Sequence, residues 1–331
     1  MDARPVRRAA ALALAFGAFA APAYAFDCKR AASASEKAIC ADPAALAADA
    51  DLSKAFETLR ASGDAKARAT LAAAEVAWLA RRDANCSDEK GAALGGCLAS
   101  QSQARLAFLT GAPEAGPGAV GRLSPIFRMQ KGGKGRTDID IQALKFADAA
   151  TPAQRAFNAA VDKLSDDIEE PDKDDPASDR YAFAWSMRLA YASPRLISAH
   201  AEGYSDTGGA HPNSSTANIN IDVARGREAT FDTLADKAAA RTIFALCLKQ
   251  VREQRVEKGG EDAADPASLK ALADSVAQSS RDLKTWSFGS ETATITYDPY
   301  AVGAYAEGAF ECKIPYATLR PLVKADFPLP Q

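Results

Sequence analysis

The number and spacing of the cysteines constrain the fold of this chain more than any other sequence feature. Four lie in the first hundred residues and two lie far beyond them: Cys28, Cys40, Cys86, Cys97, Cys247 and Cys312. An even number of cysteines is typical of exported, disulfide-bonded proteins, whereas zinc sites usually contain closely spaced cysteine pairs, which this chain lacks. We therefore expect all six cysteines to form disulfides, and we expect neither a metal nor another cofactor.

The N-terminal segment, residues 1–25, is typical of a secretory signal peptide. Its basic start contains Arg4, Arg7 and Arg8. An uncharged apolar run from Ala9 to Ala20 follows, and Ala23-Tyr24-Ala25 fits the small-residue pattern of a cleavage site. This run is too short for a permanent transmembrane helix. We therefore expect a mature protein in the periplasm or secreted from the cell, with no membrane insertion after signal cleavage.

A segment rich in glycine, proline and alanine divides the mature chain. Residues 111–121 contain a single charge and no hydrophobic periodicity, which is typical of a linker. The sequence therefore predicts a first domain over residues 26–110 and a second over residues 122–331. The first is small enough that disulfides would be a useful supplement to its core.

The first domain is rich in alanine and has the periodicity of α-helices. Leu52, Phe56 and Leu59 recur at helical spacing, and two further helices are expected over about 65–83 and 97–109. Three short helices form only a thin core. The sequence therefore predicts a small all-α domain stapled by two disulfides.

Helix geometry favours one pairing of the four N-terminal cysteines. Four cysteines allow three pairings. If the first two helices are antiparallel, the chain before the first helix lies near the end of the second. Cys40 is then expected to pair with Cys86, which leaves Cys28 to pair with Cys97.

Three blocks of this domain resemble the LprI-type lysozyme-inhibitor domain: Phe26-Asp27-Cys28, Glu36–Cys40 and Trp78–Cys86, the last with the pattern W-x3-R-D-x2-C. The departure is Glu75, where the resemblance leads us to expect glutamine; we expect a mild change in local hydrogen bonding. Trp78 is expected in the core. Arg82 and Asp83 are expected either to cap the helix or pair inside the domain, or else to contact a partner. The resemblance implies lysozyme binding but does not identify the binding residues.

The second domain combines strand and helix patterns. Large apolar residues alternate with small or polar ones over 181–191, which predicts a strand. Further strands are expected over 138–146, 195–204, 218–223, 291–297 and 310–314, and helices over 152–165, 235–255 and 267–283. Short connections favour antiparallel pairing, so we expect an α+β domain with an antiparallel sheet packed by helices. Cys247 and Cys312 would join a helix to the last strand.

A glycine-rich loop that contains a histidine is the first candidate for partner binding. Its candidate contact residues are Tyr204, Ser205, Asp206, Gly208, Gly209, His211 and Asn213. The glycines permit unusual backbone angles, and Pro212 favours an extended His211. The loop fits a shaped turn with a hydrogen-bonded histidine, a partner or ligand contact, or catalysis. Catalysis is the weakest interpretation because no nucleophile elbow or second metal ligand accompanies the histidine.

A second candidate segment runs from Tyr297-Asp298-Pro299-Tyr300 through Tyr305 to Gly308, with Tyr300 and Tyr305 as candidate contacts. Together with the glycine-rich loop, it resembles the extracytoplasmic domain of RsiV-type anti-sigma factors, which also occurs beside PdaC-like peptidoglycan deacetylases. The resemblance covers about 125–325 and implies a lysozyme-sensing domain. The chain lacks the sigma-binding and deacetylase segments of those proteins, so the resemblance implies neither activity.

The charge of the chain argues against nucleic-acid binding. It has 40 Lys and Arg against 43 Asp and Glu, a formal net charge of −3, with no basic stripe. One run is strongly acidic: Asp166, Asp167, Glu169, Glu170, Asp172, Asp174, Asp175 and Asp179, with Lys173 as the single base. This run fits either a solvated loop or a surface that steers a cationic partner.

The two resemblances, on one exported and acidic chain, together imply a non-enzymatic protein that binds and inhibits lysozyme by plugging its substrate cleft. A basic, c-type lysozyme is the expected partner, because an acidic surface complements its charge. The alternative is a periplasmic module that binds peptidoglycan, with Tyr300 and Tyr305 stacked on sugar rings. Hydrolysis of cell-wall material is a third and weaker hypothesis.

Overall fold

A computed structural model of the chain describes residues 27–119, 121–164, 168, 170–172, 174, 178–259 and 266–331. The predicted signal peptide lies outside these residues, and so do Asp166, Asp167, Glu169, Lys173 and Asp175 of the acidic run. No helix in the described part of the chain is long and apolar enough to cross a membrane.

The N-terminal region is helical. Its described helices are α1 (Ala34–Ala41), α2 (Pro43–Ser62), α3 (Ala65–Asn85) and α4 (Ala92–Thr110). Ser33 and Glu36 form a capping box at α1, and the side chains of Asp42 and Asp64 cap α2 and α3. The predicted helical domain is confirmed, with α1 as an additional helix. Its eight residues are too few to show a clear hydrophobic period.

Both N-terminal disulfides are local, and the predicted pairing of Cys40 with Cys86 and of Cys28 with Cys97 is wrong. Cys28 pairs with Cys40 and Cys86 pairs with Cys97, at sequence separations of 12 and 11. The geometric reasoning omitted α1, which carries the chain from Cys28 back to Cys40. The connection between α3 and α4 is short and brings Cys86 beside Cys97. The error therefore comes from a missed helix.

The C-terminal region contains, among the described residues, a six-stranded and a three-stranded sheet. The strands of the first sheet lie side by side in chain order: β1 (Leu123–Gln130), β2 (Asp138–Phe146), β3 (Ala182–Ala192), β4 (Leu196–Asp206), β5 (Asn213–Asp222) and β6 (Arg227–Glu228). Strands β2 and β3 are parallel because α5 (Pro152–Lys163) connects them, whereas the other neighbours are antiparallel. The predicted α+β class is confirmed, with one parallel pair in the sheet.

The second sheet is antiparallel and lies against β4 and β5. It consists of β7 (Trp286–Phe288), β8 (Thr292–Tyr297) and β9 (Phe310–Pro315). The helices of this part are α6 (Phe231–Leu234), α7 (Lys237–Glu257), α8 (Pro266–Ser279) and α9 (Tyr316–Leu319). The predicted Cys247–Cys312 disulfide is present and joins α7 to β9. Asn220 Nδ2 donates to the carbonyl oxygens of Leu283 and Trp286, which fixes the second sheet against β5.

The helical region packs directly on the first sheet. Leu71 and Trp78 belong to the same buried cluster as Ile139 of β2. The segment predicted as a linker is partly hydrogen-bonded, since the backbone N–H groups of Glu114 and Gly118 donate to carbonyl oxygens of β3 at 2.8 and 3.0 Å. The helices and the first sheet thus share a core, while the exact domain boundaries stay a prediction.

Candidate functional site

The two candidate loops meet at one edge of the molecule. The imidazole of His211 stacks on the ring of Tyr305 with 3.7 Å between centroids, and its Nε2 lies 3.0 Å from the hydroxyl of Tyr300. The hydroxyl of Tyr305 donates to the Pro212 carbonyl at 2.7 Å. His211, Tyr300 and Tyr305, which we call the His211 cluster, therefore join residues that are almost ninety positions apart in the chain.

The hydrogen bonds of His211 determine its tautomer. Nδ1 lies 2.9 Å from the carbonyl oxygen of Pro212. Because a carbonyl can only accept, Nδ1 must donate there, and the Nε2 of neutral His211 accepts from the hydroxyl of Tyr300. The partners of this histidine are thus a carbonyl and a phenol, which position a loop.

Asp298 anchors the loop that carries Tyr300. Its two carboxylate oxygens accept hydrogen bonds from the backbone N–H and the hydroxyl of Thr216 on β5, at 3.0 and 2.9 Å. Tyr300 itself has a φ of 72° and is, among the described residues, the one non-glycine residue with positive φ. Its side chain is 62% exposed. A bulky residue held in the left-handed region costs conformational energy, and here that conformation presents an aromatic ring to solvent.

The glycine-rich loop extends the β4–β5 hairpin. Ser205 and Asn213 face each other in the strand register at its base. Gly208 has a φ of 77°, its backbone N–H donates to the Asp206 carboxylate at 2.8 Å, and its carbonyl accepts from Arg180. A side chain at Gly209 would meet open space.

Tyr204 lies beside this loop on β4 and is 43% exposed. Burial of its hydroxyl end, with a smaller contribution from the Asp206 carboxylate, raises the pKa of Tyr204 above its ordinary value. The phenol therefore stays protonated throughout the physiological range and can donate a hydrogen bond to a partner.

A cleft of about 480 Å³ opens next to the His211 cluster, between α3, the first sheet and the second sheet. We call it the composite cleft. Its polar and aromatic lining includes Arg81, Asp140, His200, Glu202, Tyr204, Thr216, Asp298 and Glu311. Carboxylates outnumber the arginine in this lining, so the composite cleft is acidic.

His200 lies at the floor of the composite cleft and is 6% exposed. Its Nδ1 is 2.8 Å from Asn218 Oδ1, while Asn218 Nδ2 donates to the Lys284 carbonyl and so fixes the amide orientation. Nδ1 must therefore donate to Asn218. Nε2 lies 3.6 Å from the Glu202 carboxylate. Interaction with the imidazole of His200 in the form that carries a proton on Nε2 holds the pKa of Glu202 below its ordinary value.

A buried polar chain connects the helical region to this cleft. Arg105 on α4 is almost fully buried and donates to Glu75 at 2.8 and 3.0 Å and to Gln142 at 2.6 Å. Gln142 in turn donates to Asp140 at 2.7 Å, and Asp140 pairs with Arg81 on α3. Glu75, where the resemblance leads us to expect glutamine, thus places a carboxylate beside a buried guanidinium and neutralises it; that this departure is mild stays a prediction.

Trp78 and Arg82 of the W-x3-R-D block face the interior. Trp78 is 9% and Arg82 is 5% exposed. Arg82 donates two hydrogen bonds to Asp83, and the guanidinium groups of Arg82 and Arg105 lie 5.4 and 5.5 Å from the Trp78 ring centroid. The predictions of a core tryptophan and of internal pairing are confirmed. Neither Trp78 nor Arg82 is available to a partner in this conformation.

Sequence reasoning missed the composite cleft. His200, Glu202 and Tyr204 alternate on one face of β4, and this period of two is a signal that could have grouped them. Arg81 and Asp140 come from different regions, and no sequence pattern relates them. Within the described residues, no group of three or more His, Cys, Asp or Glu side chains could hold a metal ion.

Two family models match separate parts of the chain. Residues 28–109 match the model of the lysozyme inhibitor LprI, and residues 232–317 match that of a protein family of unknown function, DUF3298. The DUF3298 match includes Tyr300 and Tyr305. It begins at residue 232, so the glycine-rich loop lies outside it. None of the curated proteins matches the chain.

Two crystal structures of DUF3298 proteins are similar to this chain. One is from Pseudomonas aeruginosa, with 18% identity and a TM-score of 0.45. The alignment covers 65% of this chain and 100% of the Pseudomonas chain. The other is from Bacteroides fragilis, with 14% identity and a TM-score of 0.44, and covers 62% and 94%.

Proposed function

We propose that this protein is an exported, non-enzymatic inhibitor of lysozyme that acts in the periplasm or outside the cell. The observation that carries this proposal is the LprI match over residues 28–109. Three disulfides with no free cysteine among the described residues are typical of an oxidising compartment and support export.

The His211 cluster is the surface that we assign to the partner. Because Trp78 and Arg82 are buried, the block typical of LprI serves the core, and contact must come from exposed groups. Tyr300 and Tyr204 are exposed aromatic side chains, and Tyr300 is held by the anchoring of its loop through Asp298 and by its hydrogen bond with His211. Rigid, exposed aromatic residues are the side chains most often found at the energetic centre of protein interfaces. Insertion of this edge into the lysozyme substrate cleft would compete with glycan.

The test is a calorimetric titration of the mature, oxidised protein with a c-type lysozyme at physiological salt, together with a cell-lysis assay. We expect binding at micromolar concentration or tighter, and inhibition of lysis. Tyr300→Ala should weaken binding by about 2 kcal/mol, or roughly thirtyfold in Kd. Val256→Ala, at a 56% exposed position on α7, is the matched control and should bind as the wild type does. Wild-type protein that does not bind would contradict the inhibitor function, and an unchanged Tyr300→Ala would contradict the site.

Peptidoglycan binding is the second candidate function, favoured by the exposed ring of Tyr300 beside the stacked His211 and Tyr305 rings. Flat aromatic groups of this kind can stack on sugar rings. Sedimentation with purified sacculi separates the two functions. Co-sedimentation without lysozyme binding would favour the envelope module over the inhibitor.

A further inference from the structure

We propose that the composite cleft binds a cationic side chain, specifically the guanidinium group of an arginine presented by a basic protein partner. The identity of that partner as lysozyme rests on the proposed function, whereas the guanidinium site rests on the geometry of the cleft. Neither family match assigns a ligand to this cleft.

The charge of the lining favours a cation. Asp140, Glu202, Asp298 and Glu311 face the cleft, and Arg81 is the lining residue of opposite charge besides the titratable His200. Asp140 is neutralised by Arg81, and Glu311 lies 2.8 Å from Lys313. Glu202 and Asp298 retain acceptor capacity, because Asp298 accepts one hydrogen bond on each oxygen from Thr216.

The arrangement of His200 and Glu202 is an independent indication of an N–H donor. Since Nδ1 of His200 donates to Asn218, the neutral ring directs an acceptor lone pair of Nε2 toward the cleft. The nearest charged group is the Glu202 carboxylate, also an acceptor, at 3.6 Å. Two acceptors that face the same space without a hydrogen between them are stabilised by a donor that bridges them. A guanidinium carries several donors in a rigid fork and suits this role.

The walls of the cleft suit the flat shape of the same group. The ring of Tyr204 lines one side, and Ala184, Pro299 and Ala309 supply apolar surface. Guanidinium is weakly hydrated and packs well on aromatic faces, whereas ammonium is a compact and strongly hydrated charge. The cleft therefore favours arginine over lysine.

A proton on Nε2 of His200 is the competing solution to the same geometry. An imidazolium would donate to Glu202 and reduce the negative charge of the cleft. The groups next to His200 are Glu202 on its own strand, Asn218 on β5 and Arg188, its register partner on β3.

The test is an NMR titration of the mature, oxidised protein with N-acetyl-arginine methylamide and, as a neutral isostere, the citrulline analogue. We expect saturable shifts of the backbone amides of Gly203 and Thr216 with arginine and none with citrulline. Glu202→Gln should weaken arginine binding by about tenfold, the value of one hydrogen bond to a charged group. Glu57→Gln, at an exposed position on α2, is the matched control and should leave the titration unchanged.

Equal shifts with citrulline, no shift with arginine, or an unchanged titration of Glu202→Gln would each overturn the cationic site. A lysozyme titration of the same variants separates this failure from failure of the proposed function. If lysozyme binds Glu202→Gln normally but binds Tyr300→Ala weakly, the inhibitor function stands and the guanidinium site is refuted as its docking point. If lysozyme does not bind at all while arginine binds as expected, the cleft serves another basic partner.

Discussion

Replacement of Glu75 by glutamine is the sharpest test of how the two regions are held together. In this chain Glu75 is the carboxylate partner of Arg105, whose side chain is 4% exposed. Burial lowers the pKa of Arg105 from its ordinary value, and the Glu75 carboxylate is the main opposing influence. The Glu75→Gln variant keeps the shape and an acceptor oxygen but removes the negative charge.

The expected loss in the free energy of unfolding depends on the contacts that Arg105 retains in the Glu75→Gln variant. Removal of one partner of a buried ion pair typically costs about 3–5 kcal/mol, because an uncompensated charge stays buried. In the variant, Gln142 still accepts from Arg105 at 2.6 Å, and the aromatic rings of Trp78 and Phe108 still lie within 5.5 Å of the guanidinium. A neutral amide also replaces part of the lost hydrogen bonding. We therefore expect the free energy of unfolding to fall by about 2–3 kcal/mol, at or below the lower end of that range.

Urea denaturation of the oxidised protein, followed by tryptophan fluorescence, measures this loss. The midpoint should fall while the slope with denaturant stays unchanged. Glu57→Gln is the matched control, since its partner Arg60 is exposed, and it should cost less than about 0.5 kcal/mol. The double variant Glu75→Leu/Arg105→Met should recover most of the loss because it leaves no buried charge. A Glu75→Gln protein within about 0.5 kcal/mol of wild type would refute this account of Arg105.

Three further predictions concern other parts of the molecule. Replacement of Cys247 and Cys312 by serine should lower the free energy of unfolding by about 4 kcal/mol, measured by thermal or urea denaturation. This loss should exceed the loss from removing either N-terminal disulfide, because the Cys247–Cys312 disulfide closes the longest loop of the three. Equal losses for all three disulfides would contradict this dependence on loop length. Burial raises the pKa of Tyr297 to about 12, so the contribution of this residue to the free energy of unfolding is fully present below pH ~10 and is lost as the pH rises toward 12. In an absorbance titration, Tyr297 should ionise only as the protein unfolds. Ionisation in the folded state at pH ~10 would be inconsistent with its burial. The pKa of Glu202 is lowered, so the contribution of Glu202 to the free energy of unfolding is present above the unfolded-state pKa and disappears as the pH falls through the folded-state pKa. Because the side chain is largely exposed, Glu202→Gln should remove less than about 1 kcal/mol of this pH dependence in urea denaturation at acidic pH. A larger change would indicate a buried carboxylate.

The fold was predictable wherever the local pattern was strong. Strict alternation over residues 181–191 corresponds to β3, and the segment predicted over 138–146 is β2. Their parallel pairing was not predicted, because periodicity identifies strands without giving their neighbours. The same limit explains the disulfide error, since the pairing depended on α1, a helix too short to show its period.

The sequence predicted which residues belong to the candidate site but not how they are arranged in space. Both loops were selected from their glycines, aromatic residues and histidine, and the structure brings them together through the contacts of His211 with Tyr300 and Tyr305. The link depends on Thr216 and Asp298, which are 82 positions apart, and only the tertiary fold relates them. The composite cleft lies a step further from prediction, because its lining comes from the helical region and from both sheets.

The buried polar chain gives the LprI region a role that the exposed loops alone do not explain. Through Arg105 and Gln142 the helices position Asp140, and through Arg81 they supply a wall of the composite cleft. Without these helices, Gln142 would lose its contact with Arg105 and Asp140 would lose its partner Arg81. The cleft would then be more open and more negative, with less definite geometry. The helical region therefore shapes an acidic cleft on the neighbouring sheet, and in the proposed function this is its main contribution to partner binding, since Trp78 and Arg82 of its W-x3-R-D block are buried.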